Sequence, residues 1–200
     1  MEQSRLNPKI VDALGIQTIE GVYPPSEDSY LLANSIQIPK KADCLDLGCG
    51  SGIQGITMAK IDAQSVTFCD QFKTALDLAK KNCEQNKVKC KTHFIQSDLF
   101  SRIENKKFDV IAFNPPYVPS DGIKWKDTDG GKKGREVLDK FLDHVTEHLK
   151  TDGQLFFLQS SLNGEATTKK RLNELGFAFE IVARQKLFFE ELIVYRGHWK

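Results

Sequence analysis

Short runs of β-branched and aromatic residues alternate along the chain with longer stretches in which apolar residues recur at helical spacing. This alternation is typical of an α/β sheet, whose strands bury both faces against helices. The runs predict strands at 43–47, 65–69, 92–96, 108–113, 153–159, 177–183 and 192–195. The intervening stretches predict helices at 53–60, 73–86, 135–149 and 165–175. A polar segment rich in Gly and Asp, 118–134, is predicted to be a loop.

A further helix is predicted upstream of the first strand. Ser26 is suited to cap it, and Glu27 and Asp28 place two acids in its first turn, where a helix favours negative charge. Its expected apolar face carries Tyr30, Leu31, Leu32 and Ile36.

The last two predicted strands have no helix between them, so we expect them to form an antiparallel hairpin. The predicted fold is a Rossmann-like α/β domain of the class I methyltransferase type. It has a mostly parallel seven-stranded sheet with an antiparallel last strand, and helices on both faces. We expect residues 1–200 to form a single domain, with 1–21 as an N-terminal extension. Ligands of such sheets bind beyond the carboxyl ends of the strands, here just after Leu47, Cys69, Gln96 and Phe113.

Composition and charge narrow the classes of function. Of the 200 residues, 40% are hydrophobic, which is enough for a core, yet no apolar run approaches the roughly 20 residues of a membrane span. The formal net charge is +1, from 28 basic and 27 acidic residues, whereas proteins that hold long nucleic acid duplexes usually carry a basic excess. The one local concentration of basic residues, 124–135, is interrupted by Asp127 and Asp129. We expect a soluble cytoplasmic protein, and the charge argues mildly against a nucleic acid substrate.

Two patterns that could suggest a metal are interpreted as structural. The five cysteines (Cys44, Cys49, Cys69, Cys83 and Cys90) show no C-x-x-C spacing and are expected to be reduced thiols. His144, Glu147 and His148 match a His-x-x-Glu-His pattern of some zinc peptidases. They fall late in a predicted helix, where His is electrostatically favoured, and no further ligand is evident. We predict no metal site.

A glycine-rich turn follows the first predicted strand directly, with Gly48, Gly50 and Gly52 at alternate positions. Glycines permit positive φ and let a ligand approach the backbone, and the next helix offers free N–H groups. A dinucleotide fingerprint would be Gly-x-Gly-x-x-Gly. Here the spacing is Gly-x-Gly-x-Gly, and Asp46 precedes the first glycine by two residues. That carboxylate suits a cofactor with a cationic amino group and disfavours a pyrophosphate.

Two further acids end the next two predicted strands. Asp70 is placed to accept both hydroxyls of a ribose, and Asp98 to accept the amine of adenine while Leu99 packs on the ring. Each acid alone could be a turn or capping residue. Three acids at the ends of three successive strands are harder to explain by chance, and we infer a site for S-adenosyl-L-methionine, whose product would be S-adenosyl-L-homocysteine.

The segment Asn114-Pro115-Pro116-Tyr117 follows the fourth predicted strand. Its two prolines lack N–H donors, which leaves the carbonyls of Asn114 and Pro115 free to accept, and the Asn114 side chain adds an amide oxygen. Together these oxygens can hold both hydrogens of a substrate –NH2 group and align its nitrogen with the methyl group. Tyr117 can stack on the planar group. No strong base is needed before transfer, because the nitrogen becomes acidic only as positive charge develops on it.

These motifs resemble those of the HemK-related (PrmC-like) release factor glutamine N5-methyltransferases, in particular the small archaeal and eukaryotic type. The resemblance includes the glycine turn, Asp70, the pair Asp98-Leu99 and the segment 114–118. Residues 22–29, Val-Tyr-Pro-Pro-Ser-Glu-Asp-Ser, are similar to the family's Val-Tyr-x-Pro-x-Glu-Asp-Thr. Residues 130–139 are similar to its Gly-Gly-x-x-Gly-Arg-Glu-Val-x-Asp. The family methylates the glutamine of the Gly-Gly-Gln motif in class-one translation release factors.

The resemblance implies residue roles and a partner. It implies a cofactor site formed by Ser29, Asp46, Gly48, Asp70, Asp98, Leu99 and Asn114, with Tyr23 and Asp28 lining the pocket and 130–135 closing over the substrate. Gln71 departs from the family, in which an apolar residue often contacts adenine, so Leu99 is expected to supply that contact. Family members of this size work with a small zinc-binding activator. The predicted strand from Thr92 to Gln96 is expected at the sheet edge, where such a partner could add a strand.

Three alternative functions remain open from the sequence. An amino-group methyltransferase acting on adenine or cytosine in nucleic acid would share the Asn-Pro-Pro-Tyr segment, but would normally need a target-recognition region. A lysine or other protein methyltransferase is a second alternative. A non-catalytic cofactor-binding subunit is a third, and the presence of the cofactor acids and Asn114 argues against it.

Overall fold

The computed structural model describes residues 9–121 and 127–200. Its strands are β1 (Asp43–Leu47), β2 (Ser65–Asp70), β3 (Lys91–Gln96), β4 (Phe108–Phe113), β5 (Leu149–Ser160), β6 (Phe177–Lys186) and β7 (Glu191–Trp199). Its α-helices are α1 (Lys9–Asp12), α2 (Glu27–Ser35), α3 (Ile53–Ile61), α4 (Lys73–Gln85), α5 (Glu136–His148) and α6 (Glu165–Glu174), and a 3₁₀ helix spans Ser161–Asn163. None of the helices in these two ranges is long and apolar enough to cross a membrane.

The described strands form one sheet in the order β3-β2-β1-β4-β5-β7-β6. β1 to β5 pair in parallel, whereas β7 lies between β5 and β6 and is antiparallel to both. This confirms the predicted fold class, the terminal hairpin and the position of β3 at the sheet edge. The reversal between β1 and β4 creates a crevice at the carboxyl edge, where ligands of such sheets bind.

Strand alternation divides the core into two layers, one on each face of the sheet. On β4, Val110 and Ala112 belong to the layer that includes residues of α2, α3 and α4. Ile111 and Phe113 point into the opposite layer, which includes residues of α5 and α6. Because successive strand residues face opposite sides, the apolar run 108–113 contributes to both layers at once.

Several predicted details differ from the structure. Tyr30 does not join the apolar face of α2, since 40% of it is exposed. The Ser26 side chain occupies the predicted cap position but makes no capping hydrogen bond; it bonds instead to the Glu27 carboxylate. β5 begins at Leu149, directly after α5, and includes the last residue of the predicted helix and residues 150–152, for which no element was predicted. Pairing of Leu149 with Phe108 of β4 overrides the weak local strand signal there.

The described part of the predicted N-terminal extension packs on the domain. Val11 is buried against Ala33 and Ile53. Further along, the backbone of Gln17 exchanges two hydrogen bonds with the side chain of Asn82 on α4. This segment is therefore a structural element whose anchoring on α4 the sequence analysis missed. The predicted loop 118–134 contains residues 122–126, which lie outside the described residues; its described part contains an isolated bridge between Val118 and Asp129.

Candidate active site

A cavity of about 320 Å³ opens at the carboxyl edge of the sheet, between the ends of β1, β2 and β4. Its wall brings together twelve of the predicted site residues: Tyr23, Asp28, Ser29, Gly48, Gly50, Asp70, Asp98, Leu99, Asn114, Pro115, Pro116 and Tyr117. Two predicted residues, Asp46 and Gly52, are not on this wall. Segments far apart in sequence thus converge on one concave site.

The glycine turn after β1 forms one side of the cavity. Gly48 has a φ of +60° and Gly50 a φ of +50°, both in the left-handed region that glycine adopts without steric cost. The turn is tied to the end of β2, because the Gly50 N–H donates to Asp70 Oδ2 at 3.0 Å and the Cys49 N–H donates to the Cys69 carbonyl at 2.9 Å. A Cβ on Gly48 would lie 3.2 Å from the Phe113 ring, so the position is also tightly packed.

Asp70 is held in place by the backbone around it. Its Oδ1 accepts from the Phe72 N–H at 2.9 Å, while its Oδ2 accepts from Gly50. Burial raises the pKa of this carboxyl, and the backbone hydrogen bonds oppose that shift. A carboxylate oxygen can accept more than one hydrogen bond, so Asp70 retains acceptor capacity for hydroxyl groups on its cavity side.

Asp46 lies behind the glycine turn. It is only 1% exposed, and its Oδ2 accepts from the Gly55 N–H of α3 at 2.8 Å. Burial raises its pKa well above the usual range, and the nearby Asp70 charge adds to the shift. Its observed contact orients the first turn of α3. The predicted contact with a cofactor amino group stays a prediction.

The side of the cavity near β3 combines a polar rim with apolar surface. Asp98 is exposed at this rim, and Leu99 adopts a φ of +46° beside it. Phe72 also lines the cavity, one position after Gln71, and is 39% exposed. Sequence reasoning looked for an apolar contact at Gln71 and missed its neighbour. Phe72 and Leu99 together offer the apolar surface that a purine ring requires.

Asn114 is the most informative side chain of the site. Its Nδ2 donates to Asp28 Oδ2 at 3.0 Å, across 86 positions of sequence. A carboxylate only accepts, so this contact fixes which end of the amide faces Asp28. The opposite end, Oδ1, is buried and has no hydrogen-bond partner among the described residues. A buried acceptor without a partner is costly unless a ligand completes it, and this one belongs to a residue of the cavity wall.

Asp28 is itself oriented by several donors. Its Oδ1 accepts from the Ser29 N–H at 2.6 Å, the Ser29 hydroxyl at 3.1 Å and the Tyr23 hydroxyl at 3.3 Å. Burial, followed by the Asp28 charge, raises the pKa of Tyr23 to about 12. The same two causes raise the pKa of Tyr117. Both phenols therefore stay protonated near neutral pH, and neither can act as a base before methyl transfer.

Asn163 is a site residue that the sequence analysis missed. It is 2% exposed, and its Nδ2 donates to the Tyr117 carbonyl at 2.8 Å and to the Lys133 carbonyl at 3.2 Å. Its Oδ1 accepts from the Ser160 N–H at the end of β5. Asn163 thus ties the Asn-Pro-Pro-Tyr segment to the sheet and to the glycine-rich segment 130–135. The local pair with Ser160 indicates only a helix cap, and the two contacts that tie Asn163 to the site join it to residues 46 and 30 positions away.

The glycine-rich segment 130–135 packs under the Asn-Pro-Pro-Tyr segment in this structure. Gly134 has a φ of +64°, and a Cβ there would lie 2.1 Å from the Tyr117 carbonyl oxygen. The buried guanidinium of Arg135 binds the Asp139 carboxylate and the carbonyl of Asn163. Arg135 therefore holds Asn163 in place, and the Asn163 side chain in turn binds the Tyr117 carbonyl. Closure of the segment over a substrate stays a prediction.

The His-x-x-Glu-His pattern has a structural explanation. His148 is buried, stacks on Phe100 with ring centroids 4.4 Å apart, and contacts the Lys106 carbonyl through Nδ1 at 3.1 Å. His144 is exposed on the same helix. The cysteines are free thiols, and burial raises the pKa of Cys69 to about 12, which keeps that thiol protonated. Among residues 9–121 and 127–200 there is no group of side chains that could hold a metal ion.

Comparison with protein families gives a match over most of the chain. Residues 16–189 match the family described as methyltransferase small domain. The chain belongs to this methyltransferase family. A protein of Methanocaldococcus jannaschii, provisionally named a protein N5-glutamine methyltransferase, is 41% identical over 92% of this chain and 95% of its own length. A ribosomal RNA small subunit methyltransferase C of Actinobacillus succinogenes is 34% identical over 74% of this chain and 42% of its own length.

A solved structure supports the same family. The E. cuniculi Mtq2-Trm112 complex, described as responsible for methylation of the eRF1 translation termination factor, matches with a TM-score of 0.72 and 28% identity. The match covers 90% of this chain and 99% of the solved chain. This methyltransferase is an enzyme that depends on S-adenosylmethionine. Its cavity fits that cofactor, because it combines a buried carboxylate at Asp70, an open glycine turn and apolar surface at Leu99 and Phe72.

Proposed function

We propose that this methyltransferase transfers a methyl group from S-adenosylmethionine to the side-chain amide nitrogen, N5, of the glutamine in the Gly-Gly-Gln motif of a class-one translation release factor. The Methanocaldococcus relative and the solved complex support this choice by the activities in their descriptions. The motifs at 22–29 and 130–139 add support, because they resemble the release factor enzymes more specifically than the Asn-Pro-Pro-Tyr segment does, which amino-group DNA methyltransferases share. The expected site of action is the cytoplasm, where a release factor works.

The observation that carries the proposal is the free, buried Oδ1 of Asn114. Asn114 belongs to the cavity wall, and Asp28 fixes which end of its amide is left to accept, so this residue favours a substrate that brings an N–H group. A primary amide brings two such hydrogens on a planar nitrogen. Asn114 Oδ1 would accept one of them, and the backbone carbonyls of Asn114 and Pro115 are predicted to help hold the other. This arrangement fixes the nitrogen for in-line attack.

The bound cofactor supplies an electrophilic methyl group on sulfonium sulfur. The residues of the cavity would position the substrate nitrogen and exclude water from the reacting atoms. Tyr117, whose phenol keeps its proton, offers a flat aromatic ring beside Asn114 on which a planar amide can stack. Asp28 keeps Asn114 oriented and adds negative charge near the nitrogen as that nitrogen becomes cationic. Its carboxylate thus favours the charge that develops during transfer.

A labelling assay tests the proposal directly. The protein would be incubated with methyl-labelled S-adenosylmethionine and a termination factor, or with the same factor carrying Gly-Gly-Ala in place of Gly-Gly-Gln. We expect label on the first factor only, located at the glutamine by fragmentation mass spectrometry. Equal labelling of the two factors would rule out the glutamine assignment.

A nucleic acid amino group is the second candidate, because a ribosomal RNA methyltransferase also matches the chain. An exocyclic amine on a base resembles an amide in being planar and weakly nucleophilic, so Asn114 could hold either. The relative's match spans only 42% of its own length, and the formal net charge of +1 shows no overall excess of basic residues. RNA and DNA oligonucleotides in the same assay distinguish the candidates. Labelled oligonucleotide with unlabelled factor would favour this second function.

The proposal also includes a small zinc-binding activator at the β3 edge. Among the strands of the described residues, β3 (Lys91–Gln96) pairs only with β2, so its other edge offers backbone groups to an added strand. The solved Mtq2-Trm112 assembly is a methyltransferase with a second protein, which supports a partner of this kind. We expect low solubility or weak activity of the isolated chain, rescued by co-expression of the activator. A monodisperse, fully active chain alone would contradict this part.

A further inference from the structure

Two adjacent phenylalanines at the β6–β7 connection project from the molecule. Phe188 is 92% exposed and Phe189 is 86% exposed, more than any other large hydrophobic side chain of the described residues. Their rings contact each other edge to face, with centroids 4.6 Å apart. A contiguous aromatic pair in water is unfavourable for a protein that acts alone, and aromatic side chains are enriched at the centres of protein interfaces.

The connection that carries them is firmly built. The Leu187 N–H donates to the Glu190 carbonyl at 2.8 Å and closes the turn. The Glu191 N–H donates to the Ser161 hydroxyl at 3.0 Å, and Arg184 pairs with the Glu191 carboxylate. The aromatic pair is therefore presented by an anchored turn, and its exposure does not come from a loose chain end.

The position of the turn indicates what the aromatic pair could bind. β7 runs antiparallel to β5, and Leu192 at the start of β7 pairs with Ser160 at the end of β5. The β6–β7 turn therefore lies at the carboxyl edge of the sheet, on the same side as the cavity. Leu187 and Tyr117 pack against the same core layer, and the Glu190 charge is close enough to raise the pKa of Tyr117. The turn that carries the aromatic pair therefore lies on the cavity side of the sheet, in the neighbourhood of the residue proposed to stack on the substrate amide.

The geometry points to Phe188 and Phe189 as a docking surface for the body of the protein substrate, next to the loop that carries the methylated glutamine. This inference rests on the proposed function. A glutamine side chain that reaches Asn114 brings the rest of its protein against the carboxyl edge of the sheet, and Phe188 and Phe189 at this edge are the most exposed large hydrophobic side chains of the described residues. The surface would bind an apolar patch of the release factor and leave the cofactor site untouched.

The test compares steady-state methylation of a full-length termination factor by the wild-type protein and by the double variant Phe188→Ser/Phe189→Ser. We expect KM for the factor to rise about 30-fold, the size of effect given by loss of one interface hot spot, with kcat changed less than about twofold. Binding of S-adenosylhomocysteine, measured by calorimetry, should not change. Lys186→Ser, an exposed change on the same hairpin, is the matched control and should leave KM unchanged.

The double variant Phe188→Leu/Phe189→Leu keeps apolar side chains at both positions and should retain most of the affinity for the factor. A folding defect in the hairpin would instead lower that affinity. An unchanged KM in the serine variant would overturn the inference while the proposed function stands. The inference would also be overturned if the wild-type protein were a dimer, the serine variant a monomer and their KM values equal. The aromatic pair would then bind a second copy of the chain. If wild-type protein labels the Gly-Gly-Gln and Gly-Gly-Ala factors equally, the proposed function itself fails and the inference fails with it.

Discussion

The two halves of the cavity are built in different ways. In the half formed by β1 and β2, the carboxylates of Asp46 and Asp70 are already bonded to backbone N–H groups within the same βαβ unit. In the half formed by the segment that follows β4, Asn114 is oriented by Asp28 from α2, and Tyr117 is held by Asn163 from beyond β5. The first half is complete in itself. The second contains a buried acceptor that lacks a partner among the described residues.

This difference separates binding from chemistry. The β1–β2 half can hold a cofactor with short-range backbone geometry, which costs little to preorganise. The half that follows β4 must hold a reacting group in one orientation. It does so with Asn114 and Tyr117, which are fixed by long-range hydrogen bonds. Substitutions in the β1–β2 half should therefore change cofactor affinity or stability. Substitutions in the other half should change the rate of methyl transfer. Four variants test this separation.

The largest effect is expected from Asn114→Ala. It removes the acceptor that positions the substrate nitrogen, and single-turnover methyl transfer should fall by at least about 100-fold. Cofactor affinity, measured by calorimetry, should change by less than about tenfold, since the carboxylates and glycine turn remain. Asn34→Ala, at an exposed asparagine of α2, is the control and should be silent. Comparable losses of affinity and rate would show that Asn114 acts mainly on the cofactor.

A smaller effect is expected from Asp28→Asn. The new amide can donate as well as accept, so Asn114 is no longer forced to present Oδ1 to the substrate. We expect kcat to fall about tenfold, which corresponds to about 1.4 kcal/mol, with little change in cofactor binding. Glu27→Gln, an exposed acid in the same turn, is the matched control. A variant with full kcat would show that Asp28 does not orient Asn114 during turnover.

Asn163→Ala should give a milder effect on rate together with a loss of stability. Removing its amide leaves the Tyr117 carbonyl and the Ser160 N–H without their side-chain partner, which costs about 1–3 kcal/mol of unfolding free energy. We expect kcat to fall a few-fold, because Tyr117 is less firmly held. Chemical denaturation and initial rates measure the two effects, with exposed Asn173→Ala as control. Lost stability at unchanged kcat would make Asn163 purely structural.

The smallest effect is expected from Asp46→Asn, and it concerns pH. Burial raises the folded-state pKa of Asp46 well above its usual range, so the folded protein binds its proton more tightly than the unfolded chain. Stability from this group is fully present below the unfolded pKa and is lost as pH rises toward the folded pKa. The wild-type free energy of unfolding should therefore fall more steeply with pH above about 4 than that of Asp46→Asn. Exposed Asp152→Asn should follow the wild type; identical slopes for wild type and Asp46→Asn would contradict the raised pKa.

The fold could be predicted almost completely from the sequence. The strand and helix positions follow from apolar runs and helical spacing, and β1 and β4 have the predicted bounds. The failures occur where tertiary pairing outweighs local preference. β5 begins at Leu149 because β4 supplies a partner there, and Tyr30 stays exposed although its spacing fits the apolar face. A periodic pattern limits which face can be buried but does not say how wide the contact is.

The site could be predicted only in part. Glycines and acids directly after a strand are local signals, and Gly48, Gly50, Asp70 and Asp98 all reach the cavity wall. Asp46, equally local in sequence, turns to the Gly55 N–H behind the wall, because its strand position faces α3. Asn163 and Phe72 gave no local signal of a role in the site. Their roles depend on which segments meet in space.

By itself, the sequence determined the order of elements, the parallel sheet and the places where polar residues leave it, because these depend on periodicity and on residues close together in the chain. Only the tertiary structure decided which end of the Asn114 amide binds Asp28, what holds Tyr117 in place, and at which edge of the sheet Phe188 and Phe189 are exposed. Those features join residues dozens of positions apart. Their hydrogen bonds and contacts exist only after the sheet and its helices have assembled.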